Sequence, residues 1–471
     1  MELTEKPAAP ERPRTGAPVT DGAEAFAPPL PAVERDWAPA LRRSPELWQI
    51  ARAVGGGPFH VVHPGTFAAN LRAMIDALAA ESVSGTVYYG KKANKAAAWL
   101  REAAVPGAGV DVASVPEFAA ALGNGIRAED IGVTGAAKSG GLLWLAARHG
   151  ALVAVDAADE LERVACAAAD AGRSVDVLLR VRPPSAPESR FGMDTDSLQA
   201  AVRRCSELDG RVELRGFSFH LDGYAVEPRA RLADTLVDLC IDARAAGHRA
   251  DRISIGGGIA VSYVTEEDWA AYRHGARPEW FHAGRMPEKT YPYHQAPTGA
   301  TMVTAILRTE SRGRVLAERL RDNDIEILLE PGRALVDGAG FSVFPVQGFE
   351  PRPGHGVTTV AGLSMSLSEQ WKGSEFLPDP ILVQRDPSSD GPVRTFVGGA
   401  SCMEYDVLTW RAVRLDAPPR AGDLLVYPNT AGYQMDKNES GFHQLPLPPK
   451  VVVDDDHRWH LDTEFPTQEV R

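Results

Sequence analysis

Short runs of β-branched and apolar residues alternate with longer alanine-rich stretches from Pro58 onward. The short runs have the length of buried strands, and the alanine-rich stretches have the length and composition of helices. Regular alternation of the two is typical of βα units repeated around a parallel sheet. The predicted strands are 86–89, 109–113, 131–133, 152–155, 175–181, 214–219, 252–255 and 325–329. Eight such strands predict an α/β fold with a (β/α)8 TIM-like barrel.

Helical stretches follow most of these strands. They are predicted at 93–103, 116–122, 141–149, 158–171, 194–208 and 230–246. The interval 264–324 is too long for one ordinary connection, and it carries six large aromatic residues. We therefore expect it to be an ordered insertion that forms a lid or an interface.

The pattern changes after residue 335, where strand-like pieces are separated by glycine and proline. These pieces are 341–346, 357–361, 380–383, 394–397, 423–427 and 450–453. They predict a C-terminal all-β domain over 336–471, beside a barrel over 86–335. The segment 46–85 is expected to join the β domain in part, through 59–63. Residues 1–45 are rich in alanine, proline and charge, which predicts a mobile or loosely docked extension.

Composition and charge narrow the possible partners. Among 471 residues, 44% are hydrophobic and 24% charged, and the formal net charge is -13 with no basic stripe. A nucleic-acid partner is therefore disfavoured, and no apolar run is long enough to predict a membrane span. The four cysteines show neither metal-ligand spacing nor a disulfide pattern, so we expect no metal site and a reducing, cytoplasmic compartment. A small-molecule partner fits this composition best.

Candidate catalytic residues gather at one end of the predicted barrel. Lys92 follows the first strand, His220 the sixth, the glycines 256–258 the seventh, and Glu330 the eighth. Barrel enzymes place their active sites at this C-terminal end of the strands. A lysine amine can form a Schiff base with an aldehyde, backbone N–H groups of glycines can bind a phosphate, and a carboxylate can hold a protonated pyridine nitrogen. Those are the requirements of pyridoxal phosphate.

An ordered set of motifs runs from about Pro58 to Val453. It comprises Tyr89-Gly90-Lys91-Lys92-Ala93-Asn94, the stretch 109–117 beginning Gly-Val-Asp111, Ser189-Arg190-Phe191-Gly192, His220, the triple glycine, Glu330-Pro331-Gly332-Arg333, Cys402 with Asp406, and Ala431-Gly432-Tyr433. In this order the chain resembles the fold-type III pyridoxal-phosphate decarboxylases. That group includes the diaminopimelate, ornithine and arginine decarboxylases, and it shares its barrel with alanine racemase.

The resemblance implies specific roles around pyridoxal 5'-phosphate. Lys92 would form the Schiff base, His220 would stack on the pyridine face, and Glu330 would pair with the ring nitrogen. A protonated ring nitrogen is the better electron sink. The other implied cofactor contacts are Asp111, Arg182 at the edge of the cofactor, and the phosphate ligands Gly257, Gly258, Arg333 and Tyr433.

The resemblance also implies a homodimer with shared active sites. In relatives, the counterpart of Cys402 reaches the active site of the other subunit, where it can reprotonate the carbanionic intermediate. An ion pair between Arg190 and Asp406 is expected across the same dimer, since a bidentate arginine suits such a contact. Glu404, Tyr405 and Asp406, which follow Cys402, are the candidate substrate-binding residues.

Departures from the family motifs bear on the substrate. Relatives often have His-x-Gly-Ser, whereas this chain has His220-Leu221-Asp222-Gly223-Tyr224 and so lacks the serine hydroxyl. The Arg-Pro-x-x-Tyr stretch with which diaminopimelate enzymes grip a substrate carboxylate corresponds to 376–382, which contains no arginine. Loss of a charge-assisted contact disfavours the matching ligand. We expect a specialised amino acid rather than diaminopimelate.

Three functional hypotheses follow. The first is a pyridoxal-phosphate-dependent amino-acid decarboxylase. The second is a racemase or epimerase that uses the same site but breaks the bond to the α-proton, since the orientation of the scissile bond decides the outcome. The third is a non-catalytic homologue that binds a partner, which the retention of Lys92 and Glu330 argues against.

Overall fold

The computed structural model describes residues 27–208, 210–367 and 374–464. The helices of these residues are α1 (Trp37–Arg43), α2 (Pro45–Ala53), α3 (Pro64–Ala80), α4 (Ala97–Ala103), α5 (Val115–Gly123), α6 (Gly140–His149), α7 (Ala158–Ala171), α8 (Thr195–Glu207), α9 (Val226–Ala245), α10 (Glu266–Gly275), α11 (Gly299–Arg308) and α12 (Leu316–Asp322). Among these described helices, none has both the length and the apolar character needed to cross a bilayer.

The strands of the same residues are β1 (Phe59–Val62), β2 (Gly85–Gly90), β3 (Ala108–Val112), β4 (Ile131–Val133), β5 (Leu152–Val155), β6 (Val175–Arg180), β7 (Val212–Ser218), β8 (Arg252–Ser254), β9 (Glu310–Ser311), β10 (Arg314–Val315), β11 (Glu326–Leu329), β12 (Gly340–Arg352), β13 (His355–Val360), β14 (Ile381–Val383), β15 (Val393–Gly398), β16 (Val407–Leu415), β17 (Leu424–Tyr427), β18 (Lys450–Val453) and β19 (Trp459–Leu461).

Eight parallel strands close into a barrel in the order β11-β2-β3-β4-β5-β6-β7-β8. All eight predicted strands belong to it, and β4 and β5 have the predicted bounds. These two strands are short and buried along their whole length, as strands covered on both faces should be. The predicted α/β barrel with a C-terminal β domain is confirmed.

The helix after β2 begins later than the sequence pattern predicts. It was expected to start at residue 93, but α4 starts at Ala97. The backbone at Asn94 is extended, and its side-chain Oδ1 accepts a hydrogen bond from the N–H of Ala96 at 2.9 Å. Asparagine competes with helix formation through such local hydrogen bonds. Lys92 therefore lies ahead of α4, in the single 3-10 turn Lys91–Ala93.

The interval 264–324 contains two different structures. Its second half supplies α11 and α12, which pack on the outside of the barrel next to α9, so this half belongs to the outer helical layer. Its first half holds α10 and the aromatic residues that suggested an ordered insertion. All six aromatic side chains are buried: Trp269, Tyr272, Trp280, Phe281, Tyr291 and Tyr293. Burial of these rings explains why this half is ordered.

The second domain is a sheet whose strands run in the order β16-β15-β13-β12-β1-β18-β19, with β17 pairing with β12 and β14. β1 pairs antiparallel with β12 and parallel with β18, so residues 59–62 join the β domain although they precede the barrel. The sequence pattern missed β16 and β19. Arginines within β16 obscure its apolar alternation, and β19 is a short, half-exposed strand.

Part of the predicted N-terminal extension is packed rather than loose. Residues 1–26 lie outside the described residues. From residue 27 the chain is docked: Leu30 and Leu41 are fully buried, and Arg42 forms an ion pair with Glu34 at 2.5 Å. Leu41 joins a small core with β1, β12, β17 and β18. The expectation of a mobile or loosely docked segment therefore does not hold for residues 27–45, because leucines spaced among charged residues supply its packing.

Candidate active site

Two adjoining cavities open at the C-terminal ends of the barrel strands. The first has a volume of about 310 Å³, and the second has a volume of about 470 Å³. Lys92, His220 and Glu330 line both cavities, so these three residues mark the boundary between them. Asp111 lines the first cavity, whereas Gly257, Gly258, Arg333 and Tyr433 line the second. The barrel and the second domain, which contributes Tyr433, thus bring together eight of the predicted site residues.

Lys92 is exposed to this paired cavity from a loop that the second domain holds in place. Tyr433 donates from its backbone N–H to the carbonyl of Ala93 at 2.8 Å. Asn94 donates from Nδ2 to the carbonyl of Ala431 at 2.9 Å. Burial disfavours the charged amine, but Asp111, Tyr433 and Glu330 outweigh that effect and raise the pKa of Lys92.

Two carboxyl groups face Lys92, and each receives a hydroxyl hydrogen bond. Thr134 Oγ1 donates to Asp111 Oδ1 at 2.6 Å, and Ser254 Oγ donates to Glu330 Oε1 at 2.5 Å. Burial and the negative charge of Glu330 raise the pKa of Asp111 to about 7. Asp111 can therefore exchange a proton near neutral pH.

His220 is an uncharged ring at this site. Burial, with the positive charge of Lys92, lowers the pKa of His220 to about 3. The N–H of Gly257 points at Nδ1 of His220 at 3.4 Å, so Nδ1 is the acceptor nitrogen. A neutral imidazole offers a flat face on which another aromatic ring can stack.

The glycines of the second cavity leave no room for side chains. A Cβ on Gly257 would lie 2.8 Å from the carbonyl oxygen of Glu330, and one on Gly332 would lie 2.9 Å from the hydroxyl of Tyr433. Gly258 has a φ of +75°, and a Cβ there would overlap Arg229 Nη2. Only glycine fits these positions, so no side chain at these three positions fills the space in which an anion would be bound.

Arg333 lines the same cavity and is held firmly by aromatic neighbours. Its Nη1 donates to the hydroxyl of Tyr263 at 2.5 Å and to the carbonyl of Gly432 at 3.1 Å. Its Cζ lies 4.2 Å from the ring centre of Tyr291, the usual distance of a cation–π contact. Tyr291 belongs to the aromatic half of the 264–324 interval, which therefore supports the site from outside.

Arg182 is not at the cavity, and this corrects the prediction made for it. Strand β6 ends at Arg180, so Arg182 lies in the following loop and its guanidinium donates to the carbonyl of Gly192 at 3.1 and 3.3 Å. Arg180 lines the first cavity instead, and its Nη1 donates to Asp156 Oδ1 at 2.8 Å. The strand was predicted to end at residue 181, one residue beyond its actual end, and the arginine after that predicted end is Arg182.

The cysteine region lies away from the cavity of its own chain. Cys402, Glu404 and Tyr405 are exposed, and they are not among the described residues that line the two cavities. Cys402 Sγ lies 3.5 Å from Nε2 of His443, a histidine that the motif search did not single out.

Asp406 differs from the prediction made for it. It is buried, and its two carboxylate oxygens accept the N–H groups of Ser364 at 2.7 Å and Ser401 at 3.0 Å. Both oxygens thus close a loop of its own domain rather than facing a substrate. Arg190, its expected partner across a dimer, lies 4.0 Å from the ring centre of its neighbour Phe191.

Sequence reasoning also missed residues of the cavity wall. Ser218, Thr134 and Asp156 line the first cavity, and Tyr224 and Lys437 line the second. Ser218 could have been found, because it stands two residues before His220 and alternate strand residues share a face. Its Oγ is buried and has no hydrogen-bond partner among the described residues. Such a hydroxyl in a cavity wall fits a bound polar ligand.

Comparisons with known proteins agree with this geometry. Residues 65–283 match the family model described as "Pyridoxal-dependent decarboxylase, pyridoxal binding domain". An uncharacterized protein, y4yA, of Sinorhizobium fredii is 37% identical over 406 residues, which cover 85% of this chain and 88% of that protein. The diaminopimelate decarboxylase of Archaeoglobus fulgidus is 24% identical over 432 residues, covering 89% of this chain and 92% of that enzyme.

Solved structures share the fold. The diaminopimelate decarboxylase from M. jannaschii superposes with a TM-score of 0.72 at 18% identity, covering 89% of this chain and 92% of that one. The arginine decarboxylase of Paramecium bursaria Chlorella virus, bound to agmatine, superposes with a TM-score of 0.65 at 18% identity, covering 87% and 99% of the two chains.

Fold and site together define an enzyme of the pyridoxal-dependent class, a carbon-carbon lyase built on a barrel. The chain belongs to the fold-type III pyridoxal-phosphate-dependent amino-acid decarboxylases, and its cofactor is pyridoxal 5'-phosphate. The residues present fit that cofactor: the Lys92 amine, the glycines that exclude any Cβ, the Glu330 carboxylate and the unpartnered hydroxyl of Ser218 lie around one space.

Proposed function

We propose that this enzyme releases the α-carboxyl group of an amino acid as carbon dioxide and uses Lys92 as the covalent attachment site of its cofactor. The observation that carries the proposal is the meeting of Lys92, Asp111, His220 and Glu330 around one cavity beside a glycine-lined cavity. When bound, pyridoxal phosphate supplies an aldehyde that links to amines and a ring that withdraws electrons from the reacting carbon.

Lys92 must lose a proton before its amine can bond to a carbonyl. Its raised pKa, caused by Asp111, Tyr433 and Glu330 against the effect of burial, means that a nearby base is needed. Asp111 is suited to that task, because its own pKa of about 7 lets it accept a proton near neutral pH. We assign Asp111 as the group that holds the proton released by Lys92.

Glu330 and His220 would fix the ring of the cofactor. Ser254 Oγ binds one oxygen of the Glu330 carboxylate and leaves the other to hold a proton at the pyridine nitrogen. His220 carries no charge at neutral pH and presents its ring to the same space. Gly257, Gly258, Arg333 and Tyr433 surround the second cavity, where the phosphate group would be bound.

Arg180 takes the place first assigned to Arg182 at the edge of the cofactor. Its guanidinium is anchored by Asp156, whose other oxygen accepts the N–H of Gly192 at 3.3 Å. An arginine held by a buried carboxylate keeps one orientation, which suits it to orient a ligand oxygen.

The acting unit is proposed to be a homodimer in which Cys402 serves the site of the other subunit. Cys402 lies outside the cavity of its own chain, and Tyr405 beside it is 60% exposed, which is unusual for a large aromatic side chain. The thiol of Cys402 would give a proton to the carbon from which the carboxyl group departs, with Glu404 and Tyr405 next to the bound substrate.

Complementation tests this sharing of sites. Lys92→Ala and Cys402→Ala would each be inactive as homodimers, but a mixture of the two should recover about a quarter of the wild-type activity, since half of the dimers would contain one complete site. Activity that does not return on mixing, in dimers shown to exchange subunits, would exclude the shared site.

The substrate is proposed to be an amino acid without a second carboxylate in its side chain. The segment 376–382 begins with Phe376 and Leu377, which are buried in the core, and its single charged residue is Asp379. Asp379 is an acid and is ion-paired with Arg411. The chain thus offers no cation in this segment for a distal substrate carboxylate, which supports a substrate other than diaminopimelate.

A panel of D- and L-amino acids tests the reaction itself. Decarboxylation predicts carbon dioxide release and a product lighter by that mass. Uptake of deuterium at the α-carbon without loss of mass would instead identify a racemase. Lys92→Ala should abolish both turnover and the visible absorption band of the lysine-bound cofactor, and a variant that keeps the band would show that Lys92 is not the attachment site.

A further inference from the structure

A fully buried arginine lies beneath the glycine loop of the second cavity. Arg229 has no accessible surface, and it stands in the first turn of α9, three residues after the helix begins at Val226. Positive charge is disfavoured at a helix N-terminus and also by burial. A chain that keeps an arginine here must compensate its charge.

The described protein atoms do not supply that compensation. Arg229 donates to three carbonyl oxygens: Ile255 at 3.2 Å, Gly223 at 3.0 Å and Gly258 at 3.4 Å. Among residues 27–208, 210–367 and 374–464 no carboxylate forms an ion pair with it, and its Nε has no hydrogen-bond partner. Carbonyl dipoles satisfy donors, but they do not neutralise a formal charge.

The position of the guanidinium points to a ligand on the other side of the loop. Gly223 and Gly258, whose carbonyls accept from Arg229, both line the second cavity. Arg229 Nη2 is close enough to Gly258 that a Cβ there would overlap it. Only a glycine backbone therefore separates this charge from the space in which an anion would be bound.

We propose that Arg229 provides counter-charge to the phosphate group of the cofactor through the glycine loop, as a positioning residue that does not touch the reacting atoms. This inference rests on the proposed phosphate site. A dianionic phosphate is the formal negative charge that would balance Arg229, and Arg229 also fixes the two carbonyls that shape the loop. Where relatives often have a serine whose hydroxyl can contact the phosphate, this chain has Gly223. The buried charge of Arg229 would attract the phosphate in place of that hydroxyl.

The test compares two probes that differ only in the phosphate: pyridoxal 5'-phosphate and pyridoxal. Dissociation constants for both are measured by absorbance titration of the full-length chain after the bound cofactor is removed. The quantity compared is the dissociation constant of pyridoxal 5'-phosphate divided by that of pyridoxal. Arg229→Gln keeps hydrogen-bond donors but loses the charge, so it should raise this ratio at least tenfold. Arg229→Lys keeps the charge and should hold the ratio within about threefold of wild type.

Arg244→Gln is the matched control. Arg244 lies near the end of the same helix, and it also donates to backbone carbonyls, among them Ala250 and Asp324 at 3.0 Å each, but it is remote from the cavity. Its substitution should leave the ratio unchanged. Should Arg229→Gln fail to fold, Arg229→Met is measured in its place.

Two results would overturn the inference. Equal weakening of both probes by Arg229→Gln would mean that the residue only supports the loop, and an unchanged ratio would mean that its charge is irrelevant to the phosphate. Arg333→Gln separates this failure from a failure of the proposed site. If Arg333→Gln raises the ratio while Arg229→Gln does not, only the role of Arg229 is refuted; if neither raises it, the phosphate is bound elsewhere.

Discussion

Gly258→Ala is the substitution whose effects the structure constrains most closely. The backbone of Gly258 has a φ of +75°, a conformation that costs a residue with a Cβ about 1–2 kcal/mol. The added methyl group would lie 3.0 Å from the carbonyl oxygen of Gly223 and would overlap Arg229 Nη2. Overpacking of this kind adds about 1–3 kcal/mol. The free energy of unfolding should therefore fall by about 2–5 kcal/mol.

Gly172→Ala separates the two contributions. Gly172 follows α7 with a φ of +66°, and nothing lies within 4 Å of where its Cβ would be. It shares the backbone cost of Gly258 without the overlap, so its substitution should cost about 1–2 kcal/mol. Denaturant unfolding of the cofactor-free protein measures both variants.

The same two variants also differ in cofactor binding. Displacing one N–H group from a charged phosphate removes about 1.5–3 kcal/mol, so Gly258→Ala should raise the dissociation constant of pyridoxal phosphate about 10- to 150-fold. Gly172→Ala should not change it. Equal unfolding free energies for the two variants, together with an unchanged dissociation constant for Gly258→Ala, would refute the assignment of this loop as a phosphate cradle.

Three further predictions concern the first cavity. Arg180→Ala should raise the dissociation constant of the cofactor about tenfold or more, because a charge-assisted contact is lost. Arg182→Ala should change that constant less than about threefold. Cofactor titration of both variants checks this, and the reverse order would return Arg182 to the edge of the cofactor. Glu330→Gln should still bind cofactor, but it should decarboxylate the substrate at least about 100-fold more slowly, because a neutral amide does not keep the pyridine nitrogen protonated. Single-turnover rates test this. An unchanged rate would show that Glu330 does not hold a proton at the ring nitrogen. In the cofactor-free protein, burial and Glu330 raise the pKa of Asp111 from 3.8 to about 7, so folding favours its protonated form. The stability that Asp111 contributes relative to Asp111→Asn is therefore present below about pH 4 and is lost as the pH rises through about 7. Thermal unfolding of both proteins across this pH range measures the difference. Melting temperatures that change in parallel with pH in the two proteins would contradict the raised pKa.

The sequence allowed the barrel and most of its site to be predicted, because both depend on local signals. Strand positions followed from short apolar runs, and Lys92, His220 and Glu330 followed from motifs at the strand ends. Arg180 was missed because the choice between two arginines two residues apart depends on where β6 ends, and strand ends are set by tertiary hydrogen bonds.

Other features depend on contacts between distant parts of the chain. Asp406 accepts hydrogen bonds from the N–H groups of Ser364 and Ser401, and these contacts depend on how the second domain folds rather than on any local sequence pattern. The burial of Arg229 under a loop that begins some thirty residues later is likewise invisible in a motif, since an arginine in a helix normally reaches solvent.

The loop that carries Lys92 is bonded to the second domain through Ala93 and Asn94, and this connection has a consequence for how the enzyme can be divided or rebuilt. A barrel expressed without its partner domain would retain the reactive amine but lose the backbone contacts that orient it. Chimeras that exchange only the barrel or only the second domain between relatives should assemble poorly, since hydrogen bonds across the junction position the reactive lysine.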